Sequence, residues 1–280
     1  AVSHPAAAAA GARMLAQGGN AIDAAAAVQF ALNVVEPQSS GIGGGAFMLI
    51  HLAKTGETVM VDSRERAPAA ARADMFAPDG LPMPFIQAST SGLAVGVPGT
   101  LRGVDTALRR WGTMKLAKTL APAIELAEHG FRVNRFLAED IAHDDGRTQF
   151  QPETAAIFRP GGVPLVEGDW LVQPDLAKTL KLIAAKGPNV FYRGPMARAI
   201  VKAQLRTGSE LGAASQGRMT LADLARYQVA IRQPLIGHYR GWTLAGMPPP
   251  SSGGLTTFQM LKLLERFPLG DATQGYGFGS

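Results

Sequence analysis

Val35-Glu36-Pro37-Gln38-Ser39-Ser40-Gly41-Ile42-Gly43-Gly44-Gly45 runs into an apolar stretch, Ala46-Phe47-Met48-Leu49-Ile50-His51-Leu52-Ala53. A second run, Thr58-Val59-Met60-Val61-Asp62, then delivers Ser63-Arg64-Glu65-Arg66-Ala67-Pro68. The order of elements here decides between two folds. Gly41-x-Gly43-x-x-Ala46 satisfies a permissive dinucleotide fingerprint, with Asp62 roughly 20 residues on. That fingerprint needs strand, glycine turn, then helix, so that a helix N-terminus meets the pyrophosphate. The chain presents helix, glycine turn, then strand. The next unit reads as a hairpin, not βαβ, which argues against a nucleotide cradle.

Lys54-Thr55-Gly56-Glu57 reads as the hairpin loop between strands 46–53 and 58–62. Pairing Ala53 with Thr58 sets Leu49 against Asp62 and Phe47 against Arg64. The hairpin thus returns Arg64 to the side of Gly45. Four charges in the five residues Asp62 to Arg66 are ordinarily a solvated loop. Beside a glycine turn, an arginine can instead grip a carboxylate with bidentate hydrogen bonds. Neighbouring backbone N–H groups can add to an anion nest.

Working outward, residues 5–17 read as an Ala-rich helix stopped by Gly18-Gly19. Asn20 caps the next helix, with Asp23 in a capping-box position, and that helix ends before Pro37. Many alanines with few charges suggest close helix packing in an interior. Residues 66–90 read as an irregular crossing, and 92–99 as a strand into a turn. Thr100 is expected to cap a helix over 101–111, and a second helix spans 120–129 with Gly130 as its stop. Residues 133–160 are helical in part, broken at Asp144-Asp145-Gly146. Further helices are expected over 170–186 with Asp175 as cap, 193–205, 220–227 and 255–266. Residues 233–244 read as two short strands around Gly237, and Met247 to Gly254 as a rigid turn. Helices dominate, with a few antiparallel-looking strands, in a single domain over 1–280.

Composition bounds the function. The 280 residues are 46% hydrophobic and 18% charged, enough to bury a core. The net charge is +5, but the basic residues are scattered at helical spacing, which speaks against a nucleic-acid surface. The absence of cysteine removes disulfides, thiolate catalysis and cysteine metal ligands. No run of about 20 apolar residues predicts a membrane span. The first residue is Ala1 rather than Met, so either the N-terminus is processed or the sequence is a clipped piece; removal of a signal peptide would leave this absence. None of the five histidines has metal-ligand spacing, and His51 and His129 read as structural. His143-Asp144-Asp145 is a possible cation site but fits a surface turn better. No Gly-x-Ser-x-Gly elbow appears, and Ser251-Ser252 reads as a turn.

Five blocks, in order, resemble the γ-glutamyltransferase family. They are Gln17-Gly18-Gly19-Asn20-Ala21-Ile22-Asp23-Ala24-Ala25, Val35 to Gly45, Asp62 to Pro68, Gly96-Val97-Pro98-Gly99 and Met247 to Gly254. The resemblance covers essentially the whole chain. It implies an α+β fold, the αββα sandwich of N-terminal-nucleophile hydrolases. It also implies a precursor that cuts itself into a large and a small subunit. A threonine at the new N-terminus of the small subunit then takes a γ-glutamyl group from glutathione-type amides and passes it to water, an amino acid or a peptide. The chain resembles the large subunit alone, in incomplete form, so the catalytic nucleophile is expected in the partner and none in this chain. Thr256-Thr257, inside a predicted helix, is not the nucleophile pair. Arg64 carries over as the binder of the γ-glutamyl α-carboxylate, with Glu65 as a possible orienting residue. No cofactor or metal is implied, and a bacterial periplasmic or secreted location is expected. Two alternatives stand: a cephalosporin (glutaryl) acylase-like amidase of the same family, and a non-catalytic binder of anionic small molecules.

Overall fold

Two helices open the computed structural model, α1 (Pro5–Ala16) and α2 (Ala21–Val35), and they can lie close because Gly11 has no side chain. A Cβ there would sit 2.7 Å from a Val28 methyl. Residues 1–144, 147–210 and 212–277 are described, and expectations touching Asp145, Gly146 and 278–280 lie outside them. The α1–α2 seam is filled by Ala7, Ala10, Met14, Ala27 and Ala31. Small side chains bring backbones together and let many weak dispersion contacts accumulate. Asn20 and Asp23 form the expected capping box. His4, which no sequence signal singled out, caps α1 by accepting a hydrogen bond from the Ala6 amide.

The chain continues through β1 (Ala46–Leu52), β2 (Glu57–Ser63), α3 (Phe85–Thr90), α4 (Thr100–Trp111) and α5 (Leu116–His129). Next come β3 (Phe131–Arg132), α6 (Arg135–Ala142), α7 (Arg147–Phe150), α8 (Pro152–Phe158) and β4 (Trp170–Leu171). It ends with α9 (Pro174–Lys186), α10 (Asn189–Tyr192), α11 (Pro195–Glu210), α12 (Leu221–Arg226), β5 (Ala230–Arg232), β6 (Leu235–Tyr239), β7 (Trp242–Gly246) and α13 (Gly253–Leu264). Two compact units result.

The first unit joins Ala1–Ala46 to Arg64–Gln228 and is helical. α2 packs against α1, α4 and α5, and α5 against α9. Asp23, fully buried, ties α2 to the α4–α5 turn. Its carboxylate accepts from the Asn20, Thr113 and Met114 amides and, at 2.6 Å, from the Thr113 hydroxyl. Burial pushes its pKa up, but those hydrogen bonds prevail and hold it below the ordinary carboxylate value.

The second unit holds Phe47–Ser63 and the chain from Val229 onward. Its three-stranded sheet has the order β1-β2-β5. Asp62 pairs with Ala230 across β2–β5 and is bound by the Arg232 guanidinium at 2.7 Å. β6 and β7 form a separate hairpin on which α13 packs, with Phe258 lying over Gly237.

Several expectations move. The first hairpin turn spans 53–56, one residue earlier than predicted. Residues 92–97 form a 3-10 turn (Gly92–Ala94) and then a single bridge, Arg66 to Val97, not a strand. Thr100 lies inside α4 and does not cap it. The Gly99 and Thr100 amides donate to the Gly44 carbonyl, and the Arg102 amide, a donor that a cap side chain could have taken, donates to the Tyr192 hydroxyl. Trp170-Leu171 pairs with Phe131-Arg132, a non-local contact without a sequence signal. α9 therefore starts at Pro174, where proline suits the first turn, and Asp175 pairs with Lys178 without capping. Gly237 sits within β6. The turn falls at Arg240-Gly241, whose φ values of 45° and 84° are the left-handed pair a two-residue hairpin demands.

Candidate functional site

Arg64 emerges where the chain leaves the sheet. Asp62 and Ser63 are buried, whereas the Arg64 side chain is 56% exposed. Its Nε–H pairs with Glu65 Oε2 at 3.1 Å. The next residue is locked. The Arg66 amide donates to the Val97 carbonyl at 3.2 Å, and the Val97 amide donates back at 2.8 Å.

Glycine supplies space here rather than an unusual backbone. The 41–45 glycines have no left-handed φ. A Cβ on Gly45 would lie 2.7 Å from the Glu65 amide nitrogen and from Glu65 Oε2, and 2.9 Å from the Arg64 Cα. A Cβ on Gly96 would lie 2.9 Å from the Glu65 Cβ. Glu65 is thus threaded between two glycines, and the predicted neighbourhood of Arg64 and Gly45 is present. The turn is anchored on its other side through Gly44, whose carbonyl receives the first amides of α4. Ser40, just before the turn, accepts from the Gln29 and Asn33 amide groups of α2 at 2.9 and 2.8 Å.

An aromatic pair supports the segment from behind. The Tyr227 hydroxyl donates to the Arg64 carbonyl at 2.9 Å, and the ring stacks on Tyr192 with centroids 5.9 Å apart. The Tyr192 hydroxyl donates to the Pro98 carbonyl at 3.1 Å and accepts from the Arg102 amide. Burial pushes the Tyr192 phenol well above its ordinary pKa, so it stays protonated and able to donate. Both tyrosines escaped sequence reasoning. Their roles depend on α10 and the end of α12 meeting residues far away in the chain.

Gly43, Arg64, Glu65, Arg66, Ala94 and Gly96 line an open cleft of ≈ 570 Å³. Two guanidiniums face one carboxylate, so the lining is net cationic and suited to an anion. The other sequence candidates do not join it. Ser251 accepts from the Gly253 amide within its turn, and Thr256-Thr257 lies inside α13. His51 bonds Thr58, and His143 bonds the Glu139 carbonyl at the end of α6. Asp144 pairs with Arg159. Among the described residues no group of His, Asp or Glu could hold a metal ion. Nor is any helix there long and apolar enough to cross a membrane.

A family profile described as Gamma-glutamyltranspeptidase matches residues 7–276. The chain belongs to the γ-glutamyltranspeptidase family. A glutathione hydrolase proenzyme of Bacillus subtilis (strain 168) is 48% identical over 272 residues, covering 96% of this chain and 44% of the relative. An "Acylase ACY 1 proenzyme" of Pseudomonas sp. (strain SE83) is 44% identical over 284 residues, covering 99% of this chain and 49% of the relative. The crystal structure of Helicobacter pylori γ-glutamyltranspeptidase superposes with a TM-score of 0.90 at 40% identity, over 100% of this chain and 77% of that one. The α+β fold expected from the γ-glutamyltranspeptidase resemblance is therefore the observed one. The chain spans about half the length of the curated relatives it matches.

Proposed function

We propose that the chain is the large-subunit portion of a γ-glutamyltransferase/hydrolase, with Arg64 binding the α-carboxylate of the γ-glutamyl donor. The single observation that carries this reading is the placement of Arg64. It is exposed at a cationic cleft, beside a glycine turn that admits close approach, on a backbone held by Tyr227 and the Arg66–Val97 bridge. Glu65, on the Arg64 Nε–H, acts as the orienting residue. The amide is cleaved by an N-terminal threonine of a small subunit cut from the same precursor. The γ-glutamyl group passes to that threonine as the amine leaves, and then to water, an amino acid or a peptide. Two features favour such a partner. The edge strands β1 and β5 of the sheet, and α13 with only Gly254 buried, both offer surface to another chain. A periplasmic or secreted location in a bacterium accords with this reading.

The test is kinetic and uses the complete two-chain enzyme. An Arg–carboxylate contact contributes roughly 1.5–3 kcal/mol, so Arg64→Ala is expected to raise KM for a γ-glutamyl anilide about 10- to 100-fold with kcat little changed. The anchor is held in ground and transition states alike. An unchanged KM overturns the assignment.

A second reading, a glutaryl-cephem acylase, is favoured by the 44% identity to the Pseudomonas acylase proenzyme. Turnover of a glutaryl cephem in preference to the γ-glutamyl anilide would select it. Mass spectrometry of the native protein tests the non-catalytic alternative, since a partner chain starting with threonine is expected for the enzyme.

A further inference from the structure

Arg64 is not the only guanidinium at the cleft, and the second differs from it in a telling way. Arg64 is paired with Glu65, whereas among the described residues no carboxylate pairs with Arg66. Arg66 is nonetheless held in place. Its backbone is bonded in both directions to Val97, and its guanidinium lies over the Tyr227 ring, 5.7 Å from the centroid. A cation within about 6 Å of an aromatic face is attracted to it. Tyr227 is also the residue whose hydroxyl holds the Arg64 carbonyl, so one aromatic ring sets both arginines. An exposed cation with a fixed backbone, lining a cleft and lacking an acidic partner, is a place for an anionic group of a ligand.

We propose that Arg66 forms a second carboxylate subsite and selects γ-glutamyl donors whose leaving amine is itself an α-amino acid. The inference rests on the reading of Arg64 as the α-carboxylate anchor. Its geometry is one of reach. Two alpha-carbon steps along the chain separate the arginine alpha carbons by at most about 7 Å. In a γ-glutamyl amino acid, five bonds join the alpha carbons that carry the two carboxylates, a span of roughly 6 Å when extended. The carboxylates and the arginines therefore share a spacing. A neutral amine leaving group offers Arg66 nothing, and an acidic one meets a cation that no carboxylate of the described chain neutralises. The contact is exposed, so it discriminates modestly and weakens with salt.

The experiment compares γ-glutamyl-alanine with γ-glutamyl-alaninamide, which differ in the second carboxylate alone, on the complete two-chain enzyme. Expected is a higher kcat/KM for the acid, with a preference that shrinks from low to high salt. Arg66→Gln should lower the acid-to-amide ratio about two- to fivefold through the KM of the acid, and Arg66→Lys should recover part of it. A ratio unchanged by Arg66→Gln, or a loss shared equally by both substrates, overturns the proposal. So does a wild-type ratio that is indifferent to salt. Arg64→Ala separates the two claims, because it should impair both substrates alike. Failure of that arm strikes the anchor, and failure of the ratio arm strikes Arg66.

Discussion

Asp23 and Glu65 are two carboxylates placed by the same device, with opposite results. Each fits because glycines leave room. Gly19 and Gly112 flank Asp23, where an added Cβ would come within 3.1 Å of its Cβ and 2.9 Å of its Oδ1. Gly45 and Gly96 flank Glu65 in the same way. Around Asp23 the freed space is filled by three backbone amides and a hydroxyl, and the group is sealed from solvent. Around Glu65 the partner is one exposed guanidinium, and the pair opens on a cleft. A carboxylate whose partners are backbone amides fixes the fold. A carboxylate whose partner is an exposed arginine fixes a direction for that arginine and costs little to disturb.

Mutation should separate the two. The largest effect is expected at Asp23→Ala, which strands three amides in the interior. A loss of about 3–5 kcal/mol, read by thermal or denaturant unfolding, follows from several unsatisfied buried donors. The same group gives a pH signature. Its folded pKa lies below the ordinary value, so its stabilisation is present above about pH 4 and lost as pH falls through the depressed folded value. Asp23→Asn should flatten that acid limb, and an unchanged limb would place the linkage elsewhere. Arg64→Ala comes next, with its rise in KM and an unfolding midpoint close to wild type. A large drop in midpoint would make Arg64 a structural residue like Asp23 and erase the contrast.

Gly45→Ala should combine both behaviours. The new methyl meets a backbone nitrogen that cannot step aside, so about 1–3 kcal/mol of stability is expected to go, together with a several-fold rise in KM as Glu65 and Arg64 shift. A change in stability alone would sever the glycine turn from the cleft. Glu65→Gln should be mildest, within about 1 kcal/mol of wild type in stability, since exposed ion pairs are worth little. Its mark should be a two- to fivefold rise in KM, about 0.4–1 kcal/mol of lost orientation for the arginine. Unchanged kinetics would remove Glu65 as the orienting residue.

Much of this contrast was legible in the chain. The Asn20–Asp23 capping box is a local pattern, because cap and acceptor are three residues apart on one helix turn. The hairpin needed only two apolar runs and a turn, and it returned Arg64 to Gly45 despite a one-residue error in the loop. What stayed hidden is long-range. Asp23 reads as a cap, yet most of its donors come from Thr113 and Met114, 90 and 91 residues away. Thr100 looked like a cap because local rules cannot foresee that the Gly99 carbonyl would start the helix one residue earlier, with the distant Tyr192 hydroxyl taking the Arg102 amide. Gly96 looked like part of a strand, and its lack of a side chain matters only because Glu65 packs there.

The sequence by itself determined the helix–glycine turn–hairpin order, which excluded a nucleotide cradle, and it marked Arg64 as the residue to watch. Periodicity, caps and turns are short-range physics, and they are written in neighbouring residues. Tertiary structure alone decided that Arg64 stands exposed while Asp62 is buried in a sheet, that Tyr227 holds the Arg64 backbone, and that Arg66 shares its cleft. Those outcomes depend on which distant groups compete for the same space and the same hydrogen bonds, and that competition is settled only when the chain has folded.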